Sequence, residues 1–282
     1  MWGRRLLASL PGLLLAGLLA ACAATPITGR SQLLLISEEY AIAASEPAYF
    51  QLLSGPAREG RLDRDPALKA RVRRIAGRLI HQAIRLRPET ADWKWSLHVI
   101  DDPDTVNAWA MAGGRMALYS GLVKKLDPSD DELAQVLGHE IAHALARHTA
   151  EKMSVALATD LALTAWAVTD NQDRAALAGA SLAAALVIQL PNSRQAEAEA
   201  DRIGIELAAR AGYDPRAAVS LWRRMSELDK GGVPEFLSTH PSDERRLEAL
   251  RALVPRMEPL YRAPGDRGAY QFRPEAEALP GG

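Results

Sequence analysis

The stretch LGHEIAHALARHT, residues 137–149, sets two histidines four apart with a glutamate beside the first. On an α-helix, positions i and i+4 lie one turn apart on one face. His139 and His143 can therefore point at one metal ion. Glu140 lies about 100° round from His139, near enough to reach a water beside that ion without ligating it. The competing reading is a packed helix with satisfied histidines, the usual one for a lone histidine. The pair with its glutamate favours metal. Val136, Leu137 and Ile141 give the helix a core-facing side, and Gly138, Ala142 and Ala144 let other backbone approach closely. His148, five beyond His143, falls off the shared face and is expected to be a solvated or capping histidine near the helix C-terminus.

Working outward, the helix is expected over Asp130–Thr149, capped by Ser129 or Asp130 with acidic residues in its first turn. Two imidazoles leave a zinc ion under-coordinated, and a hydrolytic site needs a third protein ligand and an open position. RQAEAEAD, residues 194–201, offers Glu197, Glu199 and Asp201. Glu197 and Asp201 share a helix face, so Glu197 is expected as the ligand. Asp201 is then placed to accept a hydrogen bond from the far nitrogen of a ligating histidine. Glu199 points elsewhere.

The rest of the chain reads as α+β and mainly helical. WKWSLHVI, TVNAWAM and RMALYSG are expected as three strands of a small antiparallel sheet before the histidine helix. Residues 66–86 repeat apolar side chains at helical spacing, with Pro66 in the first turn and Arg71, Arg73, Arg74 and Arg78 on what is expected to be a solvated face, contact with lipid headgroups being the alternative. Ser37 is expected to cap an earlier helix. Residues 153–190 form two Ala- and Leu-rich stretches, each too short to span a bilayer; a buried helical hairpin is expected, with a membrane-dipping loop as the alternative. Ser242 is expected to cap the last helix, and 255–282, rich in Pro, Gly and charge, is expected to be weakly ordered.

The chain has 282 residues, 48% of them hydrophobic and 24% charged, with a formal net charge of -1. That balance gives no electrostatic case for a nucleic-acid partner. The single cysteine, Cys22, excludes an intrachain disulfide. It ends MWGRRLLASLPGLLLAGLLAAC, in which Arg4 and Arg5 precede a short apolar stretch and a small-residue cleavage site. Residues 1–21 thus read as a secretory signal whose end resembles a lipoprotein lipobox, with Cys22 as the lipidated residue. An uncleaved signal anchor is the alternative. Ala23 suggests outer-membrane sorting in a Gram-negative cell.

HEIAH, then EAEAD, then STHP resemble the gluzincin peptidases of the CAAX-prenyl-protease and HtpX family, in particular its periplasmic lipoprotein and Oma-like members. PITGRSQLLLIS, VNAWAMAGGRMALYSGL, DELAQVLGHEIAHALARH, NSRQAEAEADRIG and AGYDPRAAV carry the same resemblance, which covers most of residues 26–250. It implies a zincin-like metallopeptidase domain over 66–254, with a lipid-anchor and wrapping segment over 22–65. It implies one Zn²⁺ per chain on His139, His143 and Glu197. It further implies that Asn107, Ala108, Trp109, Ala110, Met111 and Gly113 pair with extended substrate backbone. His240 in STHP matches a histidine that in some members approaches the zinc and blocks the water position; a plain turn histidine is the alternative. Arg245 is a candidate to orient that loop or stabilise developing negative charge. The long apolar helices of the membrane-spanning members are missing here, which argues against a prenyl-protein substrate.

The expected function is therefore a zinc-dependent endopeptidase of the cell envelope acting on unfolded polypeptides, with Glu140 as general base. Its expected partners are extended or unfolded polypeptides, the membrane through Cys22, and outer-membrane assembly machinery. The rival is a chaperone-like or latent lipoprotein holding outer-membrane clients in the same cleft. A zinc hydrolase of cell wall or small molecules fits a strand-like substrate edge less well.

Overall fold

The computed structural model describes residues 22–169, 192–228, 235–240, 244–263 and 265–278. A hairpin of β1 (Cys22–Ala24) and β2 (Ser31–Leu33) leads into α1 (Glu38–Arg58). The Ser37 side chain accepts from Tyr40 N, the cap expected from the sequence. Helix α2 (Pro66–Leu86) follows, with Asp65 accepting from Ala67 N and Leu68 N and Pro66 in its first turn. Its basic face is partly spoken for: Arg71 and Arg74 pair with Asp130, and Arg73 with Glu277.

Three strands come next, β3 (Ser96–Ile100), β4 (Ala108–Met111) and β5 (Arg115–Tyr119), in the order β3-β5-β4. The β4–β5 pair is antiparallel, as expected, but β3 runs parallel to β5, so the sheet is mixed. Alternation in sequence says which face of a strand is buried, not which neighbour it takes. The 101–107 connection carries the chain past β5, so β4 becomes an edge strand. β3 is buried at every position, which hides the alternation that WKWSLHVI suggested.

A short α3 (Ser120–Leu126) precedes α4 (Asp130–Leu145), the histidine helix. Ser129 and Glu132 form a reciprocal capping box at its start. From Glu132 to Leu145 every residue of α4 is buried, as expected for a helix surrounded on all sides. It ends earlier than Thr149: Arg147 takes a left-handed φ of 62°, and α5 (His148–Thr169) sets off in a new direction. The hairpin expected over 153–190 lies largely outside the described residues, as do the 1–21 signal and Ser242. Among the described residues, no helix is long and apolar enough to cross a membrane.

Helix α6 (Arg194–Arg210), capped by Ser193, lies directly against α4. The two backbones meet at a glycine pair: a Cβ on Gly204 would sit 2.8 Å from His139 N, and one on Gly138 would sit 2.9 Å from Gly204 O. This close approach sets how near Glu197 comes to the histidines. Gly204→Ala is expected to cost about 1–3 kcal/mol through overpacking and to weaken metal binding by pushing the helices apart. A thermal melt and a metal titration test this; an unchanged melting temperature would mean that the interface yields.

Helix α7 (Ala217–Leu228), α8 (Glu235–Thr239) and α9 (Glu244–Arg262) close the far side of the core. Leu79, Leu97, Leu118, Leu137, Ile141, Leu207 and Trp222 belong to one buried cluster that joins α2, the sheet, α4, α6 and α7. The expectation of weak order is corrected for residues 255–263 and 265–278. α9 runs through Pro255 and Pro259, with Leu250 and Met257 buried, so packing outweighs the lost helical N–H bonds. Tyr270 N then donates to Gly77 O at 2.8 Å, and α10 (Pro274–Glu277) packs beside β3.

Candidate metal centre and cleft

Helical spacing brings His139 Nε2 within 3.0 Å of His143 Nε2. Across the glycine contact, Glu197 stands with Oε2 3.3 Å from His139 Nε2 and Oε1 3.3 Å from His143 Nε2. His240 follows α8, and its ring is stacked on Phe236. Its Nδ1 lies 3.0 Å from Glu197 Oε1 and 3.1 Å from His139 Nε2. His139, His143, Glu197 and His240 form a buried group whose ligand atoms all lie within 4.8 Å of one another.

Behind His139, Asp201 Oδ1 is 3.0 Å from Nδ1, the arrangement read from the shared face of Glu197 and Asp201. Arg246 holds that carboxylate in a fork, Nε to Oδ2 at 2.7 Å and Nη2 to Oδ1 at 2.8 Å. It also pairs with Glu197 Oε2 at 2.9 Å, and its guanidinium carbon lies over the Trp222 ring. The role expected of Arg245 is thus corrected. Arg245 is exposed, because one residue along a helix turns the side chain by about 100°. Arg246 is the guanidinium that enters the site.

His148 is a second correction. It is buried, with Nδ1 2.7 Å from His143 Nδ1 and Nε2 3.2 Å from Glu199 Oε2. The break at Arg147 swings it back beneath His143. Glu199 does point away from the ligand group, yet it is buried too. It accepts from Thr25, Thr28 and Arg30 of the N-terminal turn. No residue type at 146–148 signals a left-handed turn, so the sequence carried no warning of this network.

Glu140 is buried beside the group, its Oε1 making no hydrogen bond and lying 3.5 Å from His240 Nε2. It faces a cleft lined by Asn107, Trp109 and Ala110 on one side and by His143, Lys152 and His240 on the other. Of the expected substrate edge, then, these three reach the cleft. Ala108 and Met111 pack into the core, and Gly113 sits in the β4–β5 turn against Ile42.

Residues 66–254 match Peptidase family M48. The chain belongs to that family. Among curated proteins, the mitochondrial metalloendopeptidase OMA1 of Bos taurus is 35% identical over 245 residues, covering 82% of this chain and 46% of its own length. OMA1 of Saccharomyces cerevisiae is 38% identical over 178 residues, covering 60% of this chain and 49% of its own. The beta-barrel assembly-enhancing protease of Yersinia pestis is 32% identical over 206 residues, covering 69% and 40%. The chain spans less than half the length of these relatives.

These relatives carry the name of metalloendopeptidase or protease, and the buried group of this chain suits a metal. Ligands on a small ion at bonds of about 2.0–2.1 Å stand roughly 3.3 Å apart, close to the spacings of Glu197 from the two histidines. The donor set of imidazoles and one carboxylate is of the kind that zinc and its neighbours take. Glu140 Oε1, buried without a hydrogen bond, is an orphan that a water at the metal would satisfy.

Electrostatics agree. Burial disfavours a proton on His139, but the Glu197 charge and the hydrogen bonds to Asp201 and Glu197 overcome it and carry the imidazole to about 9. Burial also works against Glu197, yet His240 and His139 hold its carboxyl well below the usual range. Burial drives His143 well below the ordinary imidazole value and pushes Glu140 up. It also lowers Lys152 to about 8. Metal must therefore displace a proton from His139. Apparent affinity is expected to rise about tenfold per pH unit up to about pH 9 and flatten above. Calorimetry in buffers of different ionisation enthalpy should find about one proton released per ion near neutral pH; none released would mean that His139 is already neutral.

Proposed function

We propose that this chain is a zinc-dependent endopeptidase of the cell envelope that cleaves unfolded or misassembled envelope proteins. The observation that carries the reading is the buried His139, His143 and Glu197 group beside Glu140, whose Oε1 makes no hydrogen bond, opening on a cleft flanked by an edge strand. His139, His143 and Glu197 would hold the zinc. When bound, it supplies polarisation of the scissile carbonyl and makes a nearby water easier to deprotonate. Glu140 takes the proton of the attacking water and passes it to the leaving amine. His240 Nε2, near Glu140, is within reach to donate to the developing oxyanion. Asp201 fixes the His139 tautomer. The outer edge of β4, with Asn107, Trp109 and Ala110, takes substrate backbone as an added strand.

The envelope setting rests on the lipobox-like Leu19–Cys22 and on likeness to the beta-barrel assembly-enhancing proteases. Lipidation at Cys22 would tether the chain to the membrane, with the outer-membrane assembly machinery as a working partner. These features favour the periplasmic lipoprotein members of the family over the membrane-spanning ones. A second reading, a latent or client-holding protein, is favoured by one observation: His240 sits inside the ligand group, where it can occupy the water position.

The test is cleavage of casein and of an unfolded outer-membrane protein by the zinc-loaded chain, with a zinc-stripped control. Cleavage lost on stripping and restored by zinc supports the peptidase. Undiminished cleavage after stripping would sink the zinc assignment. Client binding without cleavage, turned into cleavage by His240→Ala, would establish the latent form.

A further inference from the structure

The two histidines of α4 are oriented by different devices. His139 donates from Nδ1 straight to Asp201, which Arg246 clamps. For His143, among the described residues, no carboxylate is in direct reach of Nδ1. Its Nε2 belongs to the ligand group, so that nitrogen must keep its lone pair for the metal and the ring proton sits on Nδ1. The partner of that N–H is His148 Nδ1, 2.7 Å away. His148 must then accept at Nδ1 and carry its own proton on Nε2, which faces Glu199 Oε2 at 3.2 Å. Glu199 in turn accepts from Thr25 Oγ1 at 2.6 Å, from Thr28, and from Arg30 Nε at 2.5 Å.

Every donor along this line has an acceptor only if the protons lie in that one order. On an unbroken helix His148 would stand about 140° round from His143. The left-handed Arg147 is what makes the contact. The hairpin that carries the N-terminal turn also holds the break itself. Gln32 Nε2 donates to Ala146 O at 3.1 Å, and Arg30 forks onto Glu151 in the first turn of α5.

We propose that His148 is a positioning residue for His143, held in its tautomer by Glu199, and that the N-terminal turn Thr25–Arg30 is thereby an integral part of the metal site. This rests on the reading of His143 as a ligand. It gives the segment next to Cys22 a task beyond tethering: the turn that leaves the anchor also fixes one ligand of the metal.

The experiment measures zinc affinity of the full chain by competition with a chromophoric chelator, with circular dichroism to confirm folding. His148→Phe keeps a ring but removes both hydrogen bonds, and should weaken zinc binding by about 10–100-fold. His148→Gln, whose amide can accept from His143 and donate to Glu199, should retain more affinity than His148→Phe. Arg30→Met, at the outer end, should lose less than His148→Phe. A folded His148→Phe within about twofold of wild type, or Phe and Gln variants equally impaired, overturns the proposal. Should His148→Phe not fold, nitrogen-15 NMR of the zinc-loaded wild type decides it: His148 protonated on Nε2 is expected, and on Nδ1 refutes it. His143→Ala separates the two levels. If it binds zinc as wild type does, the ligand reading fails; if it loses zinc while His148→Phe keeps it, only the positioning role fails.

Discussion

Glu140→Gln is expected to reduce peptide turnover by about 10²–10⁴-fold while leaving zinc content and melting temperature at wild-type values. The residue is buried beside the ligand group without belonging to it. Its Oε1 has no hydrogen bond and faces the cleft. Glutamine keeps the shape but cannot take up a proton, so the chemistry fails while packing and metal binding survive. Burial pushes the carboxyl up, toward the range where a base exchanges protons efficiently near neutral pH. The loss should fall on kcat rather than KM, because Glu140 acts on the water rather than on substrate backbone. A fluorogenic peptide assay, with metal content measured on the same samples, reads this directly. A variant that cleaved at wild-type rate would refute the assignment. One that also lost its zinc would make Glu140 a ligand or a packing residue instead.

The parts of the site legible in the sequence are those in which helix periodicity alone decides the geometry. His139 and His143 share a face of α4, and Glu197 and Asp201 share a face of α6; both pairs lie as the spacing requires. Ser129 caps α4 through a reciprocal bond with Glu132, and Ser37 caps α1. Once two helices are fixed, the small residues at Gly138 and Gly204 say how closely they can pack, though not that they meet each other. What escaped reading depends on where the chain turns or on which distant element it meets. Arg147 adopts a left-handed conformation with no glycine or asparagine to announce it, so the sequence alone carries His148 on along the helix as a solvated or capping residue. The burial of Glu199 is not legible locally, because its partners Thr25, Thr28 and Arg30 lie far away in sequence. The phase of α9 decides which of two consecutive arginines turns inward, and the sequence does not fix that phase, so it cannot tell Arg245 from Arg246. The parallel pairing of β3 with β5 and the packing of 265–278 are likewise long-range choices that no local pattern encodes.

Arg246→Met should produce the largest loss of stability, about 3–5 kcal/mol in the metal-free protein. Arg246 is buried and counters two buried carboxylates at once, Asp201 through a two-pronged bond and Glu197 at 2.9 Å. Methionine fills much of the volume over the Trp222 ring but leaves both acids less compensated. Removing the guanidinium leaves excess negative charge buried on Asp201 and Glu197. The loss should shrink when zinc is bound, because the ion compensates Glu197 directly and binds only the folded state. The gain in melting temperature on adding zinc is therefore expected to be larger for Arg246→Met than for wild type, at about 2–4 °C for each kcal/mol. Scanning calorimetry with and without zinc tests this on one preparation. Equal losses in both states would mean that Arg246 acts through Asp201 and Trp222 alone, and no loss in either would mean that the carboxylates find their compensation elsewhere. Arg245→Met, on the exposed neighbour, should leave both curves where they are.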